Sequence, residues 1–129
     1  MAVVALSRDA GEARLSRGKG DVEVAGANAP TSTIVSGDRG AVETLVAEWE
    51  SEGVFARRLD VDFASHCFHM DPLLDEFREA IRDLNPRPAR IPFDSTVDGE
   101  PSVGSGGGTD STQLLDPAYW VRPRLLLQH

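Results

Sequence analysis

Five side chains that can move protons or bind metals, Asp62, His66, Cys67, His69 and Asp71, fall within ten residues of one another. An imidazole titrates near neutral pH, so one of these histidines could act as a general base if a nucleophile came within hydrogen-bond reach. Imidazole, thiolate and carboxylate are also zinc ligands, but structural zinc sites draw their ligands from two spaced pairs, and the chain has no second pair. The plainest alternative is a loop histidine making one ordinary hydrogen bond. Residue chemistry by itself leaves all three open. Elsewhere, Ser105 sits among glycines, but Val103 stands where a Gly-x-Ser-x-Gly nucleophile elbow needs its first glycine. Gly18-Lys19-Gly20 lacks the earlier glycine and the following Ser or Thr of a phosphate-binding loop. Glu43, Glu48, Glu50 and Glu52 are explained by the wet face of a helix.

The elements that must position the cluster are legible on both sides of it. Met1–Leu6 is a short β-rich run, and Asp9–Ser16 predicts a helix weakened by Gly11. Val22–Ala25 and Thr33–Ser36 predict a hairpin turning over Gly26-Ala27-Asn28-Ala29-Pro30. Asp38 is placed to cap a second helix, whose Val42, Leu45, Val46 and Trp49 share one face, and Gly53 ends it. Leu59, Val61 and Phe63 alternate with Arg58, Asp60 and Asp62 as in a half-buried strand. This β-α-β-β-α-β order predicts an α+β fold of the ferredoxin-like type, with two helices on one face of a four-stranded antiparallel sheet. Beyond the cluster, Asp71 and Pro72 open a helix carrying Leu73, Leu74, Phe77, Ile81 and Leu84, which runs to about Asn85. A short strand over Arg90–Thr96, a Gly- and Ser-rich linker over 101–113 and an apolar tail over 114–129 complete the chain.

Whole-chain properties narrow the function classes. The 129 residues suit one domain with a modest core. A formal charge of -8 offers no electrostatic footprint for nucleic acid or an anionic membrane. The single cysteine excludes an intrachain disulfide. The apolar run Ala2–Leu6 is too short for a signal sequence or a membrane span, so the expected location is the cytoplasm.

Four stretches together resemble the acyltransferase domain of modular polyketide synthases, a relative of malonyl-CoA:acyl-carrier-protein transacylase. Ala27-Asn28-Ala29-Pro30 with Ser32-Thr33-Ile34-Val35-Ser36-Gly37-Asp38 resembles the family's Asn-Gly-Pro and Val-Ser-Gly-Asp stretch. Arg57 to Phe63-Ala64-Ser65-His66 resembles the segment entering its Tyr-Ala-Ser-His or His-Ala-Phe-His motif. Met70-Asp71-Pro72-Leu73-Leu74 resembles the next helix start, and Pro92–Val97 with Asp116–Arg122 resembles the segments leading out. The resemblance implies a ferredoxin-like small subdomain over 1–62, then a histidine loop, helix and strand of an α/β-hydrolase-like large subdomain over 63–100. It also implies an acyl group carried from acyl-CoA, through a serine ester, to the phosphopantetheine thiol of an acyl carrier protein, without a bound cofactor or metal. His66 would be the general base, with Phe63, Ala64, Ser65 and Asn28 around the substrate and His69 a neighbour. Phe63-Ala64-Ser65-His66 is nearer the methylmalonyl-type motif than the malonyl-type one, although Phe lacks the Tyr hydroxyl.

The family's Gly-His-Ser-x-Gly elbow and its carboxylate-binding arginine belong upstream of the small subdomain and have no counterpart in these residues. Pro123-Arg124-Leu125 stands where the family has Asn-Leu-Arg, whose asparagine carbonyl is expected to orient the catalytic histidine. The resulting expectation is a fragment that is inactive alone and works only with the serine-bearing subdomain or other synthase modules. The alternative is a non-enzymatic ferredoxin-like module that binds a protein partner.

Overall fold

The computed structural model describes residues 1–18, 20–87 and 117–121. They fall into two compact bodies, Met1–Asp71 and one that begins at Pro72. The first runs β1 (Ala2–Val4), α1 (Arg8–Leu15), β2 (Val22–Ala29), β3 (Ser32–Gly37), α2 (Arg39–Ser51) and β4 (Ala56–Arg58). The strands form one sheet in the order β2-β3-β1-β4. Every neighbouring pair is antiparallel. The body is therefore α+β, with the expected element order.

Alternate residues of a strand point to opposite faces, and Ala2, Val4, Val35 and Ala56 all point to the same one. Val42 and Trp49 of α2 close over them, with Leu45 and Val46 partly buried beside, as the helical spacing predicts. The end of α2 is set by backbone chemistry. Gly53 adopts φ 80°, its N–H bonds to Glu50 O at 3.0 Å, and the Val54 N–H reaches Trp49 O at 2.9 Å. That pair of bonds satisfies carbonyls that the helix leaves open, and it turns the chain toward β4. At the other helix, the Ser7 hydroxyl accepts from Ala10 N at 3.3 Å and caps α1. Gly11 is buried, and a Cβ placed on it would lie 3.7 Å from Thr33 Cγ2 and Val24 Cγ2.

Four local expectations are revised. The fourth strand is Ala56–Arg58 and not the run from Leu59 to Phe63. Its partner β1 offers only Ala2–Val4 for pairing, and past Arg58 a lone bond from Leu59 N to Met1 O remains. Val61 and Phe63 are consequently exposed. The hairpin turns at Pro30-Thr31, later than expected, because β2 is an edge strand whose register shifts at Val24/Gly26 and Ala27/Ala29 accommodate its small residues. Asp38 occupies the N-cap position of α2, but its side chain makes no cap bond. A 3-10 turn (Phe68–Met70) precedes α3 (Asp71–Ala80), which ends sooner than the predicted helix and passes into a turn.

In the second body α3 leaves Leu73 51% and Phe77 44% exposed. A one-turn helix, α4 (Pro117–Val121), holds Tyr119 edge-on to Trp120 at 5.3 Å between ring centroids. The expected strand over Arg90–Thr96, the 101–113 linker and most of the tail lie outside the described residues. Among the described residues no helix is long and apolar enough to cross a membrane.

Candidate active site

The connection from β4 to α3 carries the chemical cluster and is anchored at several points. Leu59 N donates to Met1 O at 3.0 Å. The Ser65 hydroxyl lies 3.5 Å from the Met1 sulfur. Cys67 is fully buried, and its thiol faces Ala64 O at 3.6 Å. Met70 N donates to Cys67 O at 2.9 Å, which closes the 3-10 turn. Leu59 and Ser65 thus tie the loop to Met1, next to β1, and residues 64–70 are held together by their own short-range contacts.

His66 lies in this segment. It is half-buried and has φ 57°, the only non-glycine residue at positive φ among those described. Left-handed backbone costs an ordinary L-residue about 1–2 kcal/mol. Such strain persists only where the surroundings over-determine it, and it clusters at functional sites. No described residue hydrogen-bonds to the imidazole. Three residues later the His69 ring lies 4.4 Å from the Phe68 ring, centroid to centroid, and its Nε2 is 2.7 Å from Asp38 Oδ1. The carboxylate that the sequence suggested for capping α2 is thus committed to a histidine of the cluster.

Of the residues expected around the substrate, Ala64 and Ser65 are half-buried beside His66, while Phe63 is 61% exposed. Asn28 is not brought to this loop. It sits near the hairpin end of β2, whereas the ends of β1 and β4 nearest the loop, together with Asp38, are at the other end of β3. The length of β3 separates these ends by roughly 17 Å at about 3.3 Å per residue. Among the described residues no three His, Cys, Asp or Glu side chains group as a metal site. A surface groove between α1 and α2, lined by Arg14, Asp21, Asp38, Thr44, Glu48 and Trp49, does not include His66. Sequence reasoning missed the Asp38–His69 contact. Its partners are 31 residues apart, and nothing in their immediate neighbours signals it.

Beside the loop, the Met1 α-amino group holds its proton less tightly than an ordinary chain terminus. Partial burial, then the Arg58 guanidinium, lower its pKa from the ordinary 8.0, while Cys67 opposes the change.

Comparison with known proteins gives a consistent picture. A family model described as acyl transferase domain matches residues 1–124. Over 122 residues the chain is 42% identical to polyketide synthase GfsE of Streptomyces halstedii, covering 95% of this chain and 3% of that protein. Over 122 residues it is 38% identical to erythronolide synthase EryA2 of Saccharopolyspora erythraea, again 95% of this chain and 3% of the relative. The acyltransferase domain from module 8 of the salinomycin polyketide synthase superposes with a TM-score of 0.80 at 38% identity, covering 95% of this chain and 27% of that one. The acyltransferase domain of SpnD, solved in complex with 2-(pent-4-yn-1-yl)malonyl, gives 0.72 at 33% identity, with coverages of 95% and 28%. The chain therefore spans a small part of the relatives it matches.

Proposed function

The chain belongs to the acyl transferase domain family found in polyketide synthases, and from that premise we propose that it is the histidine-bearing part of such an acyltransferase. The observation that carries the proposal is His66 itself, half-buried and held in left-handed backbone in the loop between β4 and α3. The small subdomain is ferredoxin-like on this view, which the β-α-β-β-α-β order and the strand order β2-β3-β1-β4 support.

Transfer proceeds in two balanced halves. A serine hydroxyl, supplied from outside these residues, attacks the thioester carbonyl of the acyl-CoA while His66 takes its proton. The C–S bond breaks, and CoA leaves as the thiol with the proton returned by the imidazolium. In the second half the phosphopantetheine thiol of the acyl carrier protein gives its proton to His66, and its sulfur attacks the serine ester. The serine oxygen leaves and recovers the proton. A general base of this kind contributes about 10²–10⁴-fold to rate. Ala64 and Ser65, half-buried next to the base, border the acyl group, and the Phe63-Ala64-Ser65-His66 motif supports a branched unit such as methylmalonyl.

The test is transfer of labelled methylmalonyl-CoA and malonyl-CoA to a carrier protein by this chain co-expressed with a segment containing the serine elbow. Methylmalonyl should be preferred, and His66→Ala should lower transfer by at least about 10²-fold. Transfer undiminished in His66→Ala, or acylation of the isolated chain, would overturn the proposal. A second reading, a non-enzymatic interaction module, is favoured by the exposed Leu73 and Phe77 on α3. It requires a partner whose affinity is lost in Phe77→Ser and kept in His66→Ala.

A further inference from the structure

We propose that the Asp38–His69 hydrogen bond is a tether that positions His66, a role that rests on the assignment of His66 as the base. The bond joins the N-terminus of α2 to the 3-10 turn, so it ties the catalytic loop to an element of the packed core. An ionised carboxylate only accepts, so Nε2 of His69 carries the hydrogen. The ring plane is further restrained by Phe68, which lies against it. Between His66 and His69 the chain has little freedom: Cys67 is buried, and Met70 N closes the turn on Cys67 O. A displacement of His69 is therefore transmitted to the left-handed backbone of His66. Asp38 is available for this work because it makes no cap bond to its own helix. Both partners are about half exposed, so the bond contributes little to global stability and acts on the local opening of residues 64–70.

Amide hydrogen exchange on the isolated chain tests the tether without any need for transfer. Asp38→Ala and His69→Ala should each speed exchange of residues 64–70 roughly two- to five-fold, the range open to an exposed pair. The double variant should go no further than either single one, since both remove the same bond. Asp38→Asn and His69→Gln, which keep an acceptor and a donor, should restore protection, and the His66 ring proton resonance should move in the Ala variants and return in these two. In the co-expressed transfer assay the Ala variants should lower kcat and leave KM for acyl-CoA unchanged. Unchanged exchange, additive effects in the double variant, or an unmoved His66 resonance each overturn the tether. Undiminished transfer in His66→Ala overturns instead the base assignment beneath it.

Discussion

Gly37 is the position at which one added methyl group should do the most damage. A Cβ there would stand 2.1 Å from Asp21 O, 2.7 Å from Val22 Cα and 2.9 Å from Asp21 C, and all three are backbone atoms that cannot swing aside. The β2 and β3 backbones must part in Gly37→Ala. Overpacking of this kind costs about 1–3 kcal/mol. The adjacent bond from Asp38 N to Asp21 O, 2.9 Å long, is strained or lost with it and adds about 1 kcal/mol. The sum, about 2–4 kcal/mol, is a large share of the 5–15 kcal/mol typical of a domain. It corresponds to a fall in Tm of roughly 8–32 °C for a body of this size. Gly40→Ala is the matched control. Nothing lies within 4 Å of a Cβ there, and helix propensity favours alanine by up to about 1 kcal/mol. Urea and thermal unfolding followed by circular dichroism measure both variants. If Gly37→Ala unfolds within about 0.5 kcal/mol of the parent, or Gly40→Ala is as destabilised, the close-approach reasoning is wrong.

Three further outcomes are expected. Gly11→Ala should stabilise the fold by about 0.5–1 kcal/mol, because the new methyl group meets Thr33 and Val24 at ordinary contact distance and the helix interior gains propensity; a lower unfolding midpoint would count against it. His66→Gly should be more stable than His66→Ala by about 1 kcal/mol, since glycine relieves the left-handed strain that alanine retains; equal midpoints would mean that the strain is absent. For the chain with a free Met1 amine, the folded state binds its proton less tightly than the unfolded state. Between the lowered folded value and 8.0 the unfolded chain carries more protons, so this contribution to stability is fully present above 8.0 and is lost as pH falls through the folded value. Nα-acetylation should flatten that part of the urea-midpoint profile, and identical profiles would refute the assignment.

The sequence by itself determined the features that depend on local periodicity or on a single backbone demand. The spacing of Val42, Leu45, Val46 and Trp49 specifies the buried face of α2, and Gly53 specifies its end, because a 3.6-residue repeat and a left-handed cap need no distant partner. The order of elements and the placement of the His66 cluster between a strand and a helix were legible for the same reason. Alternation over Leu59–Phe63 misled, since a strand exists only where a neighbour is available to pair, and β1 supplies that neighbour only as far as Arg58. Asp38 misled in the opposite direction: it has the residue type and place of a helix cap, yet its carboxylate is taken by His69 from 31 residues away. Tertiary structure alone decided that contact and the distance of Asn28 from the loop, because both depend on how the sheet orders its strands and not on the neighbours of any one residue.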